Sequence, residues 1–405
     1  MPSTRALRLL AAHAERSELE ANVGVHIAPD RVVLDGATAE TLVAERKRSG
    51  AGRPRHVERF LFVADPECPA TRRRIVRHFS EQHGASLAFD PVRMGWPGVV
   101  AAEEGWVRSD DIVVGTSPDV GGLGGLGALV LRGRPDELVR LLRHKTMTVQ
   151  APAGYSVNIS GRLPRWVGPQ ELALHVSRAV GESAAGRVIE LGGRGVFDLA
   201  VDERMALCTA LAREGLSSLV PPDEATRVWL SARVLEEVAA SPVGTSDLPA
   251  ADLPAADLTL QGQRLGLVAR AGGSLVNPGA DPGLPVDEAV VAGSVTTLRR
   301  AAEALQERRL KPGMHMYVLP ASRRTLLHAL EEGLITAFLR SGAILLTPGT
   351  TAPESGRSER RVTTVATSPQ DLLAGPDVVV ASAVCGRLVD PEVMRREHRR
   401  TTTIR

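Results

Sequence analysis

Lysine is nearly absent from this chain: three lysines stand against 46 arginines in 405 residues. That skew reads as the mark of a GC-rich genome and not as a binding device. The near balance of 49 basic against 47 acidic side chains argues against an indiscriminate polyanion binder. Aromatic residues make up only 3%, which leaves few rings to stack on bases. Cysteine is scarce too. Cys68, Cys208 and Cys385 are odd in number and lack CxxC spacing, which argues against a disulfide framework and against a thiolate metal site, and suits a reducing compartment. No apolar run approaches the roughly 20 residues needed to span a bilayer. The N-terminal MPSTRALRLLAAHAERSELE mixes Arg5 and Arg8 with Glu15, Glu18 and Glu20, poor grammar for a signal peptide. A cytoplasmic protein is expected.

What is present is ordinary globular material, 43% hydrophobic and 24% charged, in a chain longer than one typical domain. Strand-like runs alternate with helix-like periodic ones, the signature of α/β layers. FLFVAD is followed by the helical ATRRRIVRHFSEQHG, then SLAFD, DDIVVGT, the glycine-rich GGLGGLGALVLRG and the helical PDELVRLLRHK. From Thr146, TMTVQAP and YSVNISGRLP pattern as paired strands. PQELALHVSRAVG, VIELGG and DERMALCTALAREG complete that unit. SPVGTSDLPAADLPAAD reads as a linker. The last unit runs through LGLVAR, EAVVAGS, a helix at TLRRAAEALQERR, MYVLPAS, a long helix at RRTLLHALEEGLITAFLRSG, then AILLTPG and VVVASAV as strands. The expected division is 1–145, 146–240, a linker at 241–257, and 258–405. Loops at strand ends are where such folds place ligands.

Several phrases, in order, resemble the large-subunit portion of the aconitase and isopropylmalate isomerase family. DDIVVGTSPDVGGLGGLGAL is similar to its Gly-Thr-Asp-Ser-His-Thr loop with a glycine-rich continuation. VDERMALC followed by VPPDEAT looks like its Arg-Met-Thr-Leu-Cys and Pro-Asp-Glu segments. VDEAVVAGSV, RLKPGMHMYVLPAS, EEGLITAFLRSGAILLTPG and VVVASAVCGRLVDP continue the likeness through most of Val32 to Pro391. The resemblance implies three α/β domains of the aconitase large-subunit type around a central cleft, with the swivel domain absent. It also implies a [4Fe-4S] cluster on three cysteines, yet those positions hold Val295, Thr350 and Pro353. A threonine hydroxyl stays protonated near neutral pH, and valine and proline offer no side-chain donor. No cofactor and no metal are therefore expected. Histidines that the family uses fall at Pro66, Gly98 and Asp119, and the carboxylate-binding Ser-Thr-Ser-Asn-Arg motif is replaced by VATSPQD.

Candidate site residues follow from strand-end loops. Asp65 closes FLFVAD and Asp119 sits in a strand-end loop, so either carboxylate suits general acid or base work; the plain alternative is a turn or cap. Ser117, Ser294, Thr296, Thr350 and Thr351 supply hydroxyls. Trp96, in the loop RMGWPG, is a wall for a ligand or a plug for the space a cluster would fill. Arg93 is a candidate carboxylate partner, and Glu224 either orients a ligand or caps a helix. Gly122 to Gly127 spell GxGxxG, but SPDV separates the strand from the glycines and no acid follows about 20 residues on, so close backbone packing explains them better than nucleotide binding. The expected activity is a cluster-independent lyase, isomerase or cyclase on a small polar metabolite in specialised metabolism. The alternative is a non-catalytic ligand-binding or partner-stabilising protein. The partner would be a swivel-domain small-subunit homologue, or a second copy of the chain. RNA binding, known for cluster-free aconitases, is disfavoured by the near-neutral charge and few aromatics.

Overall fold

The computed structural model describes residues 4–16, 18–50, 52, 54–63, 68–88, 93–233, 256–279, 284–306, 308–353, 360–368 and 370–402, without the side chains of 397–402. The chain divides into two compact units, one of 1–162 with 180–261, the other of 163–179 with 262–405. The expected linker lies outside the described residues up to position 255. Among the described residues no helix is long and apolar enough to cross a membrane.

After the helix Arg5–His13, the strands of the first unit begin with β1 (Gly24–Ile27), β2 (Arg31–Asp35), β3 (Phe60–Val63), β4 (Ser86–Ala88), β5 (Ile112–Gly115) and β6 (Leu129–Arg132). The strands β2 to β6 form one five-stranded sheet in the order β4-β3-β2-β5-β6, all parallel. Its central strands are apolar on both faces because helices cover both sides. Phe60 and Phe62 on β3 pack toward Phe79 of the helix Ala70–His83, which ends where Gly84 adopts a left-handed φ of 77°. The helix Pro135–Arg143 buries Leu138, Val139, Leu141 and Leu142, as its sequence spacing predicts.

β7 (Met147–Gln150) and β8 (Gly154–Ser160) do not pair with each other as the sequence suggests. β7 lies antiparallel to β1, while β8 takes β9 (Val188–Gly192) on one side and β11 (Leu258–Gln261) on the other. β10 (Ser217–Leu219) extends that sheet beyond β9. The three-residue connection would permit a hairpin, but β8 is taken up on both sides by the parallel strands β9 and β11, whose long connections supply the crossovers.

The second unit holds β12 (Ala269–Ala271), β13 (Ser274–Val276), β14 (Glu288–Gly293), β15 (His315–Pro320), β16 (Ile344–Leu345), β17 (Arg361–Thr363) and β18 (Leu372–Leu373). They make one seven-stranded sheet in the order β13-β12-β18-β17-β14-β15-β16, parallel from β18 to β16. Two readings of this unit are corrected. The long helix RRTLLHALEEGLITAFLRSG is two helices, Arg323–Glu331 and Leu334–Ser341, broken where Gly333 takes φ 74°. VVVASAV is not a strand but part of the helix Pro376–Cys385, started by Pro376 and ended by Gly386 at φ 70°. Val378 to Ala383 are all buried, so the segment carries no polar face and no helical period to read.

Candidate functional site

Each parallel sheet has a point where the chain reverses its direction of growth, and the loops at the carboxyl ends of the two strands there form a crevice. In the five-stranded sheet of the first unit that point lies between β2 and β5. Asp35 ends β2 and caps the next helix through the Thr38 N–H at 2.7 Å, and the Thr38 hydroxyl lies 3.1 Å from that of Thr116 after β5. Thr116 and Ser117 line a cavity of about 90 Å³ with Pro118, Arg132 and Ser217. The Ser117 hydroxyl is shielded from solvent and has no hydrogen-bond partner among the described residues. A shielded hydroxyl in that state is a place where water or a ligand can supply the missing hydrogen bond. The exposed Arg132 is the charged residue of that lining.

Asp119 is two residues on, buried, with its Oδ2 accepting the Gly98 N–H at 2.9 Å. A side chain at Gly98 would meet the Asp119 carbonyl at 2.2 Å, so glycine is required there. Asp119 thus fixes the start of the helix Pro97–Glu103 against the turn after β5. Trp96 is the half-buried residue immediately before that helix. Arg93 is exposed and pairs with Glu104 at 3.5 Å. Asp65 lies outside the described residues.

The glycine-rich stretch forms a 3₁₀ helix, Pro118–Leu126, pressed onto the helix Val201–Arg213. Side chains at Gly122 and Gly125 would meet the Thr209 hydroxyl and the Met205 amide nitrogen at 2.4 Å, and one at Gly124 would meet the Ser218 carbonyl at 2.1 Å. Backbone contact accounts for these glycines. Glu224 is exposed and pairs with Arg227 at 3.0 Å. The cap of its helix is Asp223, which accepts from the Thr226 N–H at 2.9 Å.

In the second unit the reversal lies between β14 and β17. Ser294 follows β14 and caps the helix Val295–Leu305, accepting from the Thr297 N–H at 3.4 Å; Thr296 is in the first turn. Across the point, the buried Thr364 hydroxyl donates to the Ala292 carbonyl at 2.7 Å and accepts from the Ala292 N–H at 2.8 Å. The loop after β16 is drawn over the end of β15 by the Gly349 N–H, which donates to the Pro320 carbonyl at 3.0 Å. Thr350 and the exposed Thr351 sit in it. Arg361, buried and paired with Glu288, donates to the Pro353 carbonyl and so anchors the loop's far end.

These positions do not fit an iron-sulfur cluster. The Thr350 hydroxyl donates to the Thr347 carbonyl at 2.8 Å, and Val295 and Pro353 have no side-chain donor atom for a metal. Among the described residues no three His, Cys, Asp or Glu side chains gather as a metal site. Cys68 and Cys208 are buried, and burial pushes the Cys208 thiol up to about 12. Sequence reasoning missed Thr116, Arg132, Thr364 and the Arg361–Glu288 pair. Of these only Arg132 left a signal, as a charge closing the apolar run of β6.

The family model described as Aconitase family (aconitate hydratase) matches residues 8–245. The chain is also similar to the 3-isopropylmalate dehydratase large subunit of Heliobacterium modesticaldum, 26% identical over 415 residues that cover 95% of this chain and 97% of that protein. The large subunit of Moorella thermoacetica is 26% identical with the same coverage. Large subunit 2 of Rubrobacter xylanophilus is 25% identical, covering 96% of this chain and 98% of its own.

Proposed function

This chain belongs to the aconitase family, and from that premise we propose that it is a lyase or isomerase that works on a small carboxylate metabolite of specialised metabolism without a [4Fe-4S] cluster. The observation that supports this most directly is the shielded Ser117 hydroxyl, without a hydrogen-bond partner among the described residues, in a cavity that Thr116 and Arg132 also line at the carboxyl edge of β5. A substrate carboxylate there accepts from Ser117 and pairs with Arg132, and a charge-assisted pair of that kind is among the stronger polar contacts. In the family the cluster acts as Lewis acid, a role worth several kcal/mol in the transition state. Without it, polarisation of the leaving hydroxyl falls to hydrogen-bond donors and proton transfer to a carboxylate, for which Asp119 is the nearest candidate along the chain. Arg93 and Glu224, each in a surface ion pair, drop out of this proposal.

Anaerobic incubation with iron and sulfide tests the cluster half of the reading. The expected outcome is no absorption band near about 400 nm. Thermal-shift screening against hydroxy- and keto-acids tests the other half, since a ligand raises the melting temperature as its concentration rises. The stabilisation should vanish in Ser117→Ala. A binder whose response is unchanged in that variant would remove this cavity from the reaction.

A second reading has its own support. Asp119, Ser294 and Thr350 each engage the backbone, as in a scaffold, and the relatives are named as large subunits. A chain that stabilises a small-subunit partner would show no metabolite shift and a raised melting temperature only when mixed with a swivel-domain protein.

A further inference from the structure

The second unit contains a cavity of about 260 Å³ that none of the strand-end residues above lines; its walls are Arg165, Trp166, Arg300, Glu303, Ala304, Asp377 and Arg395. We infer that it binds a small phosphorylated metabolite through the Arg165 and Arg395 guanidiniums. Both are oriented by the same ring, with Arg165 4.8 Å and Arg395 4.4 Å from the Trp166 centroid. A guanidinium held over an aromatic face keeps its in-plane N–H donors available.

Neither arginine has a carboxylate partner among the described residues, and the Arg395 Nε–H is shielded from solvent with no hydrogen-bond partner. The third arginine is occupied. Arg300 donates to Asp377 through Nη2 at 2.8 Å and through Nε at 3.2 Å, and reaches the Arg165 carbonyl at 3.4 Å. Gly168 makes room for it, since a side chain there would meet Arg300 Nη1 at 2.5 Å. Asp377 therefore neutralises Arg300, with the buried Glu171 also drawn to that guanidinium, and Arg165 and Arg395 line the same space with the exposed Glu303 as the remaining carboxylate of its described wall. Arg308 adds a further positive charge near Arg395. A carboxylate offers one negative charge; a phosphate monoester carries about −1.5 to −2 near neutral pH and three terminal oxygens, which match two guanidinium forks. The volume leaves space for an organic group on the phosphate.

Trp166, one of four tryptophans in the chain, is a built-in reporter. Titrating the full-length protein with glycerol 3-phosphate should give a saturable change in tryptophan emission and a rise in melting temperature. Inorganic phosphate should bind the same site more weakly, and equal affinity would assign the site to free phosphate and overturn the metabolite. Arg395→Gln and the exposed Arg165→Gln should each weaken binding about tenfold or more, while Arg178→Gln, elsewhere on the surface of this unit, should not. Succinate controls for charge. Succinate binding as tightly as glycerol 3-phosphate, no saturable response to either phosphate probe, or responses unaltered in both variants would each overturn the inference.

Discussion

Arg204 and Asp223 are joined by two parallel hydrogen bonds of 2.8 Å, Nη1 to Oδ1 and Nη2 to Oδ2. Arg204 is 1% exposed, and its remaining donors reach the Leu199 and Phe197 carbonyls and the Thr226 hydroxyl. Asp223 in turn caps the helix Glu224–Ser231. Burial alone would raise its pKa, but the bonds from Arg204 and Thr226 outweigh burial and bring it to about 2. The carboxylate therefore contributes stability that is complete above roughly pH 4 and is lost as pH falls toward 2. Arg204→Leu should cost about 3 kcal/mol in urea unfolding at pH 7, and should flatten the stability profile below pH 4.

Glu171 bridges two helix starts in the second unit: its Oε2 accepts from the Gly168 N–H at 3.0 Å and its Oε1 from the Gly375 N–H at 2.8 Å. Burial pushes its pKa up to about 6, against the pull of Arg300 and the Gly168 bond. A raised acid penalises folding while ionised, so this group's cost is full above about pH 6 and disappears as pH falls through 4.5. Glu171→Gln removes that dependence but sets an amide NH₂ against one of the two N–H donors. A net loss of about 1–3 kcal/mol at pH 5 is expected, shrinking at pH 8, from urea midpoints at both values.

Asp111 and Asp30 are neighbouring carboxylates behind β5. Asp30 Oδ2 accepts from the Ile112 N–H at 2.7 Å and lies 2.8 Å from His13 Nε2, while Asp111 accepts from the Arg108 N–H at 2.9 Å. Burial first, and then the Asp30 charge, push Asp111 up to about 7. Its ionisation destabilises the fold increasingly as pH rises from about 4 to 7. Asp111→Asn keeps the acceptor for Arg108 and removes the like charge, so it should stabilise by about 1–2 kcal/mol at pH 8. It should give little gain at pH 4, and a gain independent of pH would contradict the assignment.

Gly124 stands where a methyl group would come 2.1 Å from the Ser218 carbonyl. Gly124→Ala should lower stability by about 3 kcal/mol, the upper range for overpacking a filled contact. Gly84→Ala, whose side chain would meet nothing within 4 Å but whose φ is 77°, should cost only about 1 kcal/mol. Thermal unfolding of the two variants compares steric contact directly with backbone strain.

Residue types alone identified much of this arrangement. The apolar runs of β3, β5, β14 and β15 and the periodic helices between them are legible because each strand is buried on both faces and each helix on one. That Val295, Thr350 and Pro353 stand where the family resemblance implies cluster cysteines is likewise an expectation drawn from the sequence without coordinates. Strand pairing was not legible, because β7 and β8 are adjacent in sequence yet belong to different sheets. The helix Pro376–Cys385 reads as a strand because complete burial erases its period. Which candidates meet a cavity was decided only by folding: Ser117 has no hydrogen-bond partner among the described residues while Asp119, two residues away, is bound to Gly98. The same holds for Arg132, and for Trp166 with Arg165, Arg300 and Arg395. Local sequence dictates an element through propensity and pattern, but a site depends on which side chains distant segments leave unpaired, and tertiary packing alone determines that.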